Sequence, residues 1–221
     1  MDPSSTLIIG GFICLAIFGL MMSHIFSRRR TEAMKQISRE TGLQFVHNAE
    51  IETVHIQSRF DLFTRGRSRR ATNLIYGETN GTGVWIFDYR YTTGSGKHSK
   101  THRQTIACYS SEQLSLPRFT LYREGILSKF GSAVFGMQDI DFDSHPVFSD
   151  SYVLKGDSED QIRAAIQPSV LTYFESQDKH LRVEGYGNLL LVYRASRSVK
   201  PEQIQEFMAE GFGIYREFLQ A

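Results

Sequence analysis

The chain has 221 residues, 41% of them hydrophobic and 12% aromatic, and a formal net charge of +1. This composition excludes wholesale disorder, and near-neutrality excludes a global field that would steer the molecule onto nucleic acid, which is not an expected partner. Two cysteines, Cys14 in an apolar run and Cys108 in an apparent strand, exclude a disulfide framework and fit a reducing compartment.

From Thr6 to Phe26 the sequence TLIIGGFICLAIFGLMMSHIF carries no Asp, Glu, Lys or Arg, and Arg28, Arg29 and Arg30 end it. As a helix this run covers roughly 30 Å, the depth of a bilayer's hydrocarbon core. The expectation is a single-pass transmembrane anchor with a basic stop over residues 1–30. The segment before the run is acidic at Asp2 and the segment after it is basic. Basic flanks stay inside, so the N-terminus is expected outside and the remaining chain in the cytoplasm. A cleaved signal peptide would need a positive leader and a shorter apolar core. Gly10 with Cys14 and Gly19 with Ser23 are small-xxx-small pairs, which allow a homo-oligomer through the membrane helix.

Residues 31–42 read as a juxtamembrane helix or linker, with Ala33, Met34 and Ile37 on one side and Gly42 as the stop. Residues 43–221 read as a cytoplasmic α+β domain, with 43–130 and 139–221 as possible subdomains. Within it, residues 71–78 and 84–91 flank Asn80-Gly81, a strong hairpin signal. Residues 102–109 add a third strand to this antiparallel meander. In the middle strand Trp85, Phe87, Tyr89 and Tyr91 share one face, read as core, while Val84, Ile86, Asp88 and Arg90 share the other. Leu116-Pro117 reads as a break, Phe119–Tyr122 as a short strand, 124–130 as a helical turn, and Phe148–Leu154 as a strand. Helices are expected from Asp157 to about Ile166 and from Pro168 to about Ser176. A second hairpin surrounds residues 185–188. A long C-terminal helix, Pro201–Leu219, sets Ile204, Phe207, Met208, Phe212, Tyr215 and Phe218 on one face. The fold class is α+β: an N-terminal transmembrane helix, a mainly antiparallel sheet packed against helices, and the C-terminal helix.

Charge is segregated. Between Arg59 and Arg103 nine Lys or Arg stand against three acids, and from Gln138 to Asp160 seven acids stand against Lys155. Arg67, Arg69, Arg70, Lys97 and Lys100, together with Arg28, Arg29 and Arg30, are the candidates for contact with anionic lipid or an acidic partner. Gly94-Ser95-Gly96-Lys97 is not a phosphate loop, because the glycine five residues before Gly96 and a Ser or Thr after Lys97 are both missing. Asp139, Asp141, Asp143 and His145 are the candidate metal ligands, since carboxylate oxygens suit hard cations, but they miss the calcium-loop template. No cofactor is expected. The leading reading is a membrane-anchored module that binds a protein as an accessory or scaffold. The alternatives are a metal-dependent hydrolase using Asp139, Asp141, Asp143 and His145, and a lipid-contacting module using the basic loops.

Overall fold

The computed structural model describes residues 3–50, 53–124, 138–176 and 180–220, apart from the side chains of residues 3–10, 12, 16, 54 and 138. The expected turn at 124–130 lies almost wholly outside these residues. Nine strands form one antiparallel sheet in the order β1-β2-β3-β4-β9-β8-β5-β7-β6. They are β1 (Gln44–Asn48), β2 (Arg67–Thr79), β3 (Thr82–Thr93), β4 (Lys100–Ser110), β5 (Leu116–Arg123), β6 (Gln138–Asp139), β7 (Tyr152–Gly156), β8 (Arg182–Gly187) and β9 (Leu189–Tyr193). The helices are α1 (Pro3–Thr41), α2 (Val54–Gln57), α3 (Pro146–Ser151), α4 (Glu159–Ala165), α5 (Pro168–Glu175) and α6 (Ile204–Leu219). The mixture of helices with an antiparallel sheet is the α+β class. Pairing of β4 with β9 joins the strands of the two chain halves, with Ile106 opposite Tyr193 and Ser110 opposite Leu189.

Local sequence explains the first meander. Asn80 and Gly81 both adopt positive φ, 51° and 73°, and Thr79 pairs with Thr82 across them. That is the primed two-residue turn whose twist matches its strands. Alternation along β3 then divides its side chains. Phe87, Tyr89 and Tyr91 enter a core with Ile56, Leu62, Phe63 and Leu191, and Trp85 packs at its margin. Val84 and Ile86 enter the other, larger core, shared with α1, α4, α5 and α6. Helices therefore cover one face of the sheet, and Ala49 with residues 56–63 covers the other over β2, β3, β4 and β9.

Helix α6 lays Ile204, Phe207, Ile214, Tyr215 and Phe218 on the sheet. Phe212 departs from the sequence expectation: it is 41% exposed, and Gly211 takes the inner position. The reason is Tyr109, whose hydroxyl donates to the Met208 carbonyl at 2.7 Å and lies 2.8 Å from where a Gly211 Cβ would be. Three other differences have local causes. Pro117 sits inside β5 rather than ending it, at the register irregularity between Leu116 and Phe119, where a missing N–H is tolerated. Pro146 starts α3, so residues 148–151 are helical and β7 begins only at Tyr152. Arg67–Arg70 belong to β2 rather than to a preceding loop.

Helix α1 runs unbroken from Pro3 to Thr41. Among the described residues no helix is long and apolar enough to cross a membrane. Its last turns are not a free linker. Met34 and Ile37 are buried in the larger core, and Gly42 ends the helix at φ 70°.

Two glycines of α6 give opposite expectations. Gly211→Ala should destabilise the domain by about 1–3 kcal/mol, because the new methyl meets the Tyr109 ring. At Gly213 only the Tyr173 hydroxyl approaches, at 3.4 Å. Gly213→Ala should therefore stabilise by roughly 0.5–1 kcal/mol through the lower entropy of the unfolded chain. Urea denaturation of both variants checks the contrast.

Candidate functional site at the junction of helix and sheet

A half-buried ion pair fixes α1 to the sheet. Arg30 donates from Nε to Asp88 Oδ2 at 2.6 Å and from Nη2 to Oδ1 at 2.5 Å. The two side chains are only 17% and 16% exposed. Arg30 also donates to Thr105 Oγ1 at 2.8 Å and to the Val199 carbonyl. The Val199 N–H donates to Thr105 Oγ1 at 2.9 Å. One guanidinium thus ties α1, β3, β4 and the segment leading into α6. A planar donor fork suits this bidentate geometry, which a lysine could not copy.

A β-bulge completes the network. Register between β2 and β3 slips between Thr72 and Ile75, and Asn73 stands there at φ 53°. Bulges re-aim side chains. Asn73 Nδ2 donates to Asp88 Oδ2 at 3.0 Å, while its Oδ1 accepts from Thr31 at 3.0 Å and meets His47 Nδ1 at 3.0 Å.

Beyond this pair, α1 and the sheet diverge around a cleft of about 620 Å³. Ser23, Phe26 and Ser27 form its helix side, with Arg30 on the same side, as the i, i+3, i+4, i+7 spacing requires. Arg70, Arg90 and Arg103 form its sheet side. These three arginines are direct cross-strand neighbours: Arg70 pairs with Arg90, and Arg90 with Arg103. All three are exposed. Glu50 lies 3.8 Å from Arg70. Among the described residues no carboxylate pairs with Arg90 or Arg103.

The basic residues singled out in the sequence divide among several roles. Arg30 is no surface contact; it is turned inward and consumed by Asp88. Arg28 and Arg29 are exposed. Arg67 donates to the Gly94 carbonyl and to Ser99 Oγ at 3.1 Å, and Arg69 donates to the Phe63 carbonyl at 3.0 Å, so both also brace loops. Lys97 and Lys100 are exposed. Arg67 stands opposite Thr92 and Lys100 opposite Thr93, which puts them at the end of the meander toward which α1 leaves the sheet. Asp88, Arg90 and Arg103 were missed as site residues. The available signal was alternation: Asp88 and Arg90 continue the face of β3 that begins with core residues Val84 and Ile86.

The acidic segment behaves differently. Ile140 and Phe142 are buried while Asp139, Asp141 and Asp143 point outward, as alternation suggests. With Glu124 and Asp150 they line an open groove of about 730 Å³. His145 precedes α3 and bonds Ser144. Burial, with help from Asp141, raises the Asp139 carboxyl above the usual carboxylate range. Among the described residues no three His, Cys, Asp or Glu side chains are placed to hold a metal ion. Cys108 is fully buried, which pushes its thiol far above the reactive range.

A second buried polar centre lies on the opposite sheet face. The Arg182 guanidinium stacks over Tyr122 at 4.4 Å, and the Tyr193 hydroxyl donates to Glu184 at 2.5 Å. Burial opposes the Arg182 charge, but Tyr193 and Glu184 outweigh it and raise its pKa. His102 bridges Thr93 at 2.9 Å and Ser196 at 2.7 Å and stacks on Tyr91. These contacts tie β8 to β5 and β9, and His102 ties β4 to β3 and to Ser196 just beyond β9.

The Arg30–Asp88 pair predicts an asymmetry. Asp88→Ala leaves a half-buried guanidinium with only Thr105 and the Val199 carbonyl as partners and should cost about 1–3 kcal/mol. Arg30→Met combined with Asp88→Leu removes both charges and should cost clearly less. Equilibrium denaturation of the single and double variants measures this.

No family model matches the chain, and no curated protein matches its sequence. Among solved structures it is similar to the crystal structure of the mycobacterial trehalose monomycolate transport factor A, TtfA. The TM-score is 0.60 at 15% identity, over 87% of this chain and 94% of that chain. At that identity the likeness is one of fold.

Proposed function

We propose that the chain is a single-pass membrane protein in which residues 6–26 of α1 form the anchor and the α+β domain faces the cytoplasm as a protein-binding accessory or scaffold module. The observation that carries the anchor is the placement of exposed apolar side chains. Ile13, Leu15, Phe18, Leu20, Met21 and Phe26 on α1 are each more than half exposed. The domain's own sheet, by contrast, is covered by helices on one face and, over β2, β3, β4 and β9, by the segment before β2 on the other. In water this unpartnered apolar surface would be a liability, whereas lipid satisfies it. The arginines after Phe26 supply the inside signal.

The accessory reading has one support: the fold is shared with a protein named as a transport factor. Such a module acts by position: it holds a partner at a fixed height above the bilayer.

In intact cells the chain should stay in the membrane pellet through alkaline carbonate extraction, and its domain should resist protease added outside. Release into the supernatant, or external digestion of the domain, overturns the anchor. Purification in mild non-ionic detergent should yield a second polypeptide at fixed stoichiometry through size exclusion. A solitary chain at every detergent and salt condition removes the accessory role.

A further inference from the structure

We infer that the cleft between α1 and the sheet binds the phosphate of an anionic phospholipid, with Arg70, Arg90 and Arg103 as its receptor. The inference deepens the membrane reading above and rests on it.

The first argument is energetic. Like charges directly opposite on neighbouring strands are destabilising. Here three arginines occupy consecutive rungs of β2, β3 and β4. The acid closest by sequence on that face, Asp88, is already occupied by Arg30. Arg70 has only the exposed Glu50 at 3.8 Å, and among the described residues no carboxylate pairs with Arg90 or Arg103, so the row is a net repulsive arrangement whose natural complement is an external anion. Its strands are about 4.8 Å apart, so the row spans roughly 10 Å. Guanidinium groups bind phosphate oxygens through paired N–H donors, and their weak hydration makes them suited to an interface.

The second argument is the other wall. The cleft's helix side is Ser23, Phe26 and Ser27. Phe26 is 61% exposed, and the exposed apolar run of α1 continues from it toward the N-terminus. A ligand seated on the arginines would meet hydroxyls near its charge and hydrocarbon further along α1. A phospholipid has that order of groups; inorganic phosphate and an acidic peptide do not. Arg28 and Arg29 lie outside the cleft lining, so its charge comes from the sheet rather than from the stop signal in the sequence.

The test uses the full chain in detergent, mixed with vesicles of phosphatidylcholine alone or with one-third phosphatidylglycerol. Flotation with phosphatidylcholine alone reports the anchor. Native mass spectrometry of the protein released from mixed vesicles reports bound phosphatidylglycerol. Arg70→Gln/Arg90→Gln/Arg103→Gln should weaken phosphatidylglycerol binding on the order of a hundredfold. A charge-matched control, Lys155→Gln/Arg163→Gln/Arg216→Gln, should leave it unchanged. In lipid-free detergent the arginine triple variant should melt no lower than the wild type, since repulsion has been relieved; a merely structural role for the row would lower it. Equal loss in both triple variants overturns the site, as does displacement of the lipid by millimolar inorganic phosphate or equal binding of polyglutamate. A protein that floats but shows no preference for phosphatidylglycerol refutes the cleft and leaves the anchor standing. A protein that floats with neither vesicle refutes the anchor and this inference with it.

Discussion

The contact between Arg30 and Asp88 decides what the long helix can do. Without it, α1 would meet the domain through its last three turns, by Thr31 on Asn73, Met34 and Ile37 in the core and Glu40 on Gln205, and its outer turns could swing. With it, one guanidinium reaches a carboxylate, a hydroxyl and a carbonyl on three separate segments. Moving the helix then means stripping a half-buried charge of all its partners at once, which is costly. The helix direction is thereby set by the sheet. The domain does not hang from α1 on a flexible string; it is held at one orientation to the helix, with the arginine row and the Lys97–Lys100 loop toward the outer part of α1.

Much of this fold was legible in the sequence because its signals are local. Asn80-Gly81 specifies its turn through two positive φ angles. Trp85, Phe87, Tyr89 and Tyr91 declare their face by alternation alone, and the helices opened by acids or proline follow from orphan N–H groups. What was not legible depends on bulges and on distant partners. The slip at Asn73 adds a residue to β2, and no composition signal marks it. Asp88 looks like an ordinary strand carboxylate until a helix 58 residues earlier in the chain delivers Arg30. Arg70, Arg90 and Arg103 are unremarkable singly; only the register of three strands makes them a row. The same limit explains Arg30 itself. Read along the chain it belongs with Arg28 and Arg29, but a helix turns about 100° per residue, so three consecutive arginines cannot all face the same way.

Segregation of charge across the sheet follows from the same topology. The basic residues lie on β2, β3 and β4, and the acidic groove lies at β6 and β7. In the strand order, β7 is the fourth strand beyond β4. At about 4.8 Å per strand the two regions are roughly 19 Å apart. The Debye length at physiological ionic strength is about 8 Å, so the acids do not cancel the field of the arginines. A net charge of +1 therefore hides a domain whose two halves respond to an anionic surface with opposite sign. The attraction of one half and the repulsion of the other produce a torque, and the rigid helix junction fixes the angle at which that torque vanishes. An anionic membrane surface would favour the basic end toward it at roughly 1 kcal/mol for each cation close to it. Under the anchoring proposed above, the helix junction and the electrostatic preference select the same pose, with the acidic edge turned away from the anionic surface.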